Sequence, residues 1–117
     1  MAIQVFGKSK CFDTKKAERW FKERGVKFQS VDLIKFGMSQ GELKSVIQSV
    51  GIDNVIDTQA KGYAESLLPY TSSVDGKIAY LLENQAFIKT PIVRNGKKAT
   101  VGIETEIWSQ WIKEGIK

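Results

Sequence analysis

One cysteine and no histidine occur in the 117 residues. A single thiol cannot close an internal disulfide. A zinc site of cysteine and histidine ligands cannot be assembled, and hydrolysis by a nucleophile with a histidine base is excluded. Covalent sulfur chemistry therefore has one candidate, Cys11, which must take its second sulfur from another molecule. Proline is scarce, at positions 69 and 91 only. No run approaches the roughly 18 apolar residues of a membrane span. The apolar stretch at the N-terminus is too short for a signal-peptide core and reads as a strand. No block of five or more like charges occurs.

What is present is ordinary for a globular chain: 42% apolar and 26% charged residues. The length suits one domain over 1–117 with its own core. No linker, repeat or low-complexity segment divides it. Eighteen basic against thirteen acidic residues give a net charge of +5. The lysines are spread along the whole chain, which reads as a solvated basic surface; direct nucleic-acid binding is not expected. A lone cysteine outside any disulfide framework fits a reducing cytosol.

Ile3, Val5 and Phe6 form a short β-like run closed by Gly7. From Thr14 the pattern turns helical, with Ala17, Trp20 and Phe21 on one stripe and Gly25 as the stop. Val26 to Val31 alternates apolar and polar as a half-buried strand does. Ser39-Gln40-Gly41-Glu42 is a capping box, and the helix after it carries Leu43, Val46, Ile47 and Val50. Short helical turns are expected around Tyr63 to Leu67, and another helix along Val74, Ile78, Leu81 and Leu82. Ile92-Val93, the turn Asn95-Gly96 and Ala99-Thr100-Val101 predict a hairpin. Ile107, Trp108, Trp111 and Ile112 close the chain with an amphipathic helix. The aromatic residues on these stripes, Trp20, Phe21, Trp108 and Trp111, are expected in the core.

Strand, helix, strand, helices, hairpin, helix begins with a βαβ unit, which needs a parallel strand pair. The expected fold is α/β and thioredoxin-like: a mixed four-stranded sheet with helices on both faces. A helical insertion follows the second strand, over roughly 38–86.

Cys11 stands between the first strand and the first helix. There a thiol faces unpaired amides and the positive end of the helix dipole, which favour the thiolate. Lys8, Lys10, Lys15 and Lys16 add positive charge, and Asp13 opposes them. Free cysteine is often an inert core residue; this junction among lysines favours the reactive role. Thr14, three residues on, either donates its hydroxyl to the sulfur or caps the helix. Thr90-Pro91 opens a strand; a cis bond and a trans strand-opening proline fit equally well.

The chain resembles the ArsC-like branch of the thioredoxin superfamily, which contains arsenate reductases and the Spx transcriptional regulators. The resemblance is carried by Cys11 to Ala17, Gly25 to Phe28 with Val31-Asp32, Thr58 to Leu67, and Lys89 to Val93 leading to Gly102. In the reductases a thiolate at the Cys11 position attacks arsenate, glutathione attacks the arsenic, and a glutaredoxin regenerates the enzyme. Three arginines hold the oxyanion; at their positions this chain has Gln59, Thr90 and Ile103. None of these supplies charge, so the resemblance implies very weak oxyanion binding. Lys89 and Arg94 compensate only where their side chains point at the thiol. Spx proteins carry a Cys-x-x-Cys switch and bind the RNA polymerase α subunit; here the second cysteine is Thr14.

A third group has one cysteine and is associated with glutathione, and the chain resembles it most. The resemblance thus implies a thiol-dependent oxidoreductase with Cys11 and Thr14 as catalytic residues. Lys8, Ser9, Lys10, Gln59, Thr90 and Pro91 would form the thiol-binding surroundings. No metal or bound cofactor is expected; glutathione or a similar thiol is the implied co-substrate. Glutaredoxin or thioredoxin are the implied protein partners. The alternative is an Spx-like regulator that binds the polymerase α subunit.

Overall fold

The computed structural model describes residues 3–115. Residues 1–2 and 116–117 of the expected 1–117 unit lie outside the described residues. The elements run β1 (Ile3–Gly7), α1 (Phe12–Glu23), β2 (Phe28–Asp32), α2 (Gln40–Val50), α3 (Ile52–Val55), α4 (Val74–Glu83), β3 (Ile92–Asn95), β4 (Lys98–Val101) and α5 (Thr105–Lys113). Single 3₁₀ turns occur at Leu68–Tyr70 and Gln85–Phe87. The four strands form one mixed sheet in the order β2-β1-β3-β4. β1 and β2 are parallel; β1–β3 and β3–β4 are antiparallel.

Strand alternation divides the core in two. Ile3, Val5 and Val93 pack with Ala17 and Phe21 of α1 and with Trp108 and Trp111 of α5. Phe6, Ile92 and Ala99 face the other way, toward Leu43 and Val46 of α2 and Ile78 and Leu81 of α4. Helices therefore cover both faces of the sheet, as the order of elements predicts. Phe21 and Trp108 meet with ring centroids 4.9 Å apart. The Trp108 indole N–H donates to the Thr100 hydroxyl at 2.8 Å, both groups being buried.

Several local expectations need correction. α1 begins at Phe12, not Thr14. β2 starts at Phe28, because Val26 is drawn into the core behind Phe21. Tyr63 to Leu67 is a chain of turns, not helix. Ser66 bonds the Tyr63 carbonyl at 2.6 Å and accepts from the Leu68 amide at 3.2 Å. Such side-chain bonds compete with a helical ladder, and the 3₁₀ turn forms only beyond them, around Pro69. In the hairpin, Asn95 pairs with Lys98, so the turn is Gly96-Lys97 with Gly96 at φ 62°. The capping box of α2 is present in both directions, Ser39 accepting from Glu42 N–H and Glu42 accepting from Ser39 N–H.

Candidate active site around Cys11

Strand directions bring the sequence-separated candidates to one end of the sheet. β1 runs toward Gly7, which lies beside Asp32 at the end of β2. β3 runs the opposite way, so its first residue, Ile92, lies beside Phe6. The loop after β1, carrying Lys8 to Cys11, therefore faces Thr90-Pro91 before β3. β4 ends at the same end, and Gly102 N–H donates to the Pro91 carbonyl at 2.9 Å.

Cys11 occupies the N-cap of α1 with extended backbone (φ −90°, ψ 113°) and makes no capping bond with its side chain. It is half-buried. Its thiol donates to the Thr90 carbonyl at 3.7 Å, a bond only the protonated sulfur makes. Burial pushes the thiol pKa up, but the Thr14 hydroxyl, the Thr90 hydroxyl and the Thr14 and Asp13 amides outweigh it. The net pKa falls below the usual thiol value.

Of the two roles left open for Thr14, capping is excluded: Cys11 holds the cap and Thr14 lies in the first turn. Thr14 is buried, 7% exposed, and its hydroxyl completes no hydrogen bond while the sulfur is protonated. Its influence on the sulfur is that of a nearby dipole, ready to become a hydrogen bond once the thiolate forms. Gly7 makes room for it. A Cβ at Gly7 would lie 2.6 Å from Thr14 Oγ1 and 2.9 Å from its Cβ. Gly7 and Thr14 also border, with Lys8 and Asp32, a hollow of about 230 Å³ at the foot of α1.

Lys8 reaches across the site end. Its Nζ donates to the Ala86 carbonyl at 2.7 Å and stands 4.0 Å from Asp57 Oδ2. Burial lowers its pKa, against the opposing pull of Asp57 and of the Cys11 sulfur. The lowering at the sulfur itself comes from the two threonine hydroxyls and the two first-turn amides. The loop lysine thus ties the thiol loop to the segments on either side of α4. Ser9 and Lys10 are exposed on the same loop. The Thr90–Pro91 bond is cis, and Pro91 is buried.

Gln59 is exposed on the loop beginning at Asp57, to whose carboxylate its N–H donates at 3.0 Å. Its link to the site is the Asp57 carboxylate, which pairs with Lys8. Neither basic residue considered as a substitute for the missing arginines serves. Arg94 lies at the opposite end of the sheet, bonded to Gln4 at 2.7 Å and Glu42 at 3.4 Å. Lys89 borders a separate hollow between α2 and β4, with Ser49 and Thr100. Arg24 stacks on Trp20, 4.0 Å from the ring centre.

Three contributors were invisible in the local sequence. The Thr90 carbonyl is a backbone group whose place depends on β1–β3 pairing. Asp57 lies 49 residues from its lysine. Gly7 reads as a strand terminator, and its close approach to Thr14 exists only once α1 packs on β1. A glycine seven residues before a buried hydroxyl was the one available signal.

A mixed sheet clad on both faces, with an N-cap thiol beside a cis-proline, defines a single-cysteine protein of thioredoxin-like fold. The model of the ArsC family matches residues 6–111, and the chain belongs to that family. It is 25% identical to "Global transcriptional regulator Spx 2" of Oceanobacillus iheyensis, covering 95% of this chain and 93% of that protein. It is 27% identical to "Uncharacterized protein YusI" of Bacillus subtilis, covering 91% and 94%. Among solved structures it is similar to a putative ArsC family related protein from Bacteroides fragilis. That similarity has a TM-score of 0.83 and 24% identity, covering 94% of this chain and 97% of the other.

Proposed function

We propose that the protein is a thiol-dependent oxidoreductase of the cytosol in which Cys11 is the nucleophile. Glutathione or another low-molecular-weight thiol is its co-substrate, and no resident cofactor takes part. The observation that carries this is the environment of Cys11. A half-buried thiol at a helix N-cap has its anion favoured by two threonine hydroxyls and two amides.

The Cys11 thiolate attacks one sulfur of a substrate disulfide; the other sulfur leaves as a thiolate, and a mixed disulfide forms on Cys11. A second thiolate then attacks that mixed disulfide and frees Cys11. Thr14 and the first-turn amides hold the sulfur anion at both ends of the cycle. Lys8, Ser9 and Lys10 edge the approach, and Thr90 and Pro91 form the opposite wall. Gln59 borders the site on the far side of Asp57. Glutaredoxin or thioredoxin are suitable reductants of the mixed disulfide. Arsenate is a poor substrate in this reading, since Gln59, Thr90 and Ile103 carry no charge. Incubation with oxidised glutathione followed by intact-mass spectrometry tests the proposal. One glutathionyl adduct is expected on the wild type and none on Cys11→Ser; an unmodified wild type overturns it.

The Spx-named relative, similar along nearly the whole chain, supports a second reading as a regulator that binds the RNA polymerase α subunit. Thr14 removes the internal dithiol switch but not a binding surface. Retention of purified α subunit on the immobilised protein at low salt supports this second reading. No retention removes it.

A further inference from the structure

We propose that the groove leading from the Cys11 loop along the β2–α2 turn docks an acidic polypeptide segment that presents an apolar side chain. Two hollows of about 580 Å³ each meet at Ile34 and Lys35. One is edged by Lys8, Lys10 and Lys35; the other runs past Phe36 to the end of α4. Ile34 is 63% exposed and Phe36 76%.

Turn chemistry does not demand those two side chains, since such positions favour small polar residues. The turn is built by Asp32 instead. One carboxylate oxygen accepts from the Ile34 and Lys35 amides at 2.9 and 3.2 Å, and its carbonyl accepts from the Phe36 amide at 2.9 Å. Ile34 and Phe36 are thus held outward on a rigid turn, where a partner gains their burial at little ordering cost. Around the thiol end, Lys8 is already held by Asp57 and Ala86; Lys10 and Lys35 are the further cations, and the carboxylate of Asp32 is turned into its own loop. Charge complementarity selects an acidic partner. The layout orders it: acidic residues near the thiol, an apolar side chain further along.

The chemistry rests on the proposed thiol-dependent activity. The docked segment carries a cysteine in mixed disulfide with glutathione. The Cys11 thiolate attacks the glutathionyl sulfur, the segment leaves as a thiolate, and glutathione then removes the glutathionyl group from Cys11 as oxidised glutathione. In sum the segment's cysteine is reduced and two glutathione units end as one disulfide.

The docking test uses a synthetic acidic peptide with one leucine and serine in place of the reactive cysteine, so no chemistry is required. Titration into the isotope-labelled full chain should shift the amide resonances of Ile34, Lys35 and Phe36, and added salt should weaken the effect. Ile34→Ser/Phe36→Ser, which changes two exposed side chains and no charge, should weaken binding about tenfold. The same variant should form the glutathionyl adduct with oxidised glutathione at the wild-type rate. Equal binding of a lysine-rich peptide, shifts confined to other surfaces, or self-association through these residues overturns the docking surface. Docking without any adduct overturns the thiol chemistry and leaves the surface standing; an adduct without docking does the reverse.

Discussion

Thr14 shows how one side chain serves a site at a cost to the fold. A buried hydroxyl without a partner is unfavourable by roughly 1–3 kcal/mol. Here it lies against Gly7 with nothing to accept its proton until Cys11 ionises. Thr14→Val keeps the shape and removes the dipole. The alkylation rate of Cys11 by iodoacetamide, followed against pH, should titrate below the free-thiol value of about 8.5 in the wild type. In Thr14→Val the midpoint should move up, with thermal stability unchanged or raised. An unmoved midpoint would show that the hydroxyl does not act on the sulfur. Cys11 and Thr14 were legible as candidates because a strand-to-helix junction and a three-residue spacing are local facts. Which of two roles Thr14 fills was not, since that depends on where α1 begins.

At the scale of the element, the two long helices of the first half are started differently. α2 has a full capping box. α1 has a cysteine at its N-cap and no side-chain bond to its amides, so its first-turn donors stay available to a sulfur anion. This predicts a trade between stability and reactivity. Serine is a strong N-cap, and Cys11→Ser should stabilise the fold by about 1 kcal/mol at pH values where the thiol is neutral. The folded thiol pKa is lowered relative to the unfolded chain. The native state therefore releases its proton first, and wild-type stability grows as pH rises through that window. It reaches its full value above the unfolded pKa of about 8.5 and is lost again as pH falls through the folded pKa. The advantage of the serine variant in urea unfolding should accordingly shrink between neutral and alkaline pH. A gap that stays constant with pH argues against a stabilised thiolate.

Over the whole molecule, the sheet order carries the site and two helical layers carry the sheet. Trp108 anchors α5 to β4 through its indole N–H and the Thr100 hydroxyl, both buried. Trp108→Phe should cost about 2–3 kcal/mol, from lost packing and a stranded hydroxyl. Adding Thr100→Val should cost less than the sum of the single changes, because the two groups form one bond. Strict additivity in urea denaturation would deny that coupling. On the other face, Ile56 pairs with Ile88, and Lys89 N–H donates to the Val55 carbonyl at 2.8 Å. The helices inserted between β2 and β3 are thereby stitched to the strand that brings Thr90 to Cys11.

The sequence by itself determined the alternation that makes strands, the stripes that make helices, the βαβ start and the hairpin. These depend on neighbours within a few residues, where periodicity and capping speak directly. It also determined what chemistry is unavailable, since one thiol and no imidazole are facts of composition. It misplaced Tyr63 to Leu67, where serine and proline side effects outweigh a weak apolar pattern. Only the tertiary structure decided that the Thr90 carbonyl accepts the thiol's hydrogen bond, that Lys8 answers to Asp57, and that Arg94 serves the far end of the sheet. Each joins residues about 50 or more positions apart or depends on strand direction, and burial and electrostatics follow distance in space, which strand pairing sets.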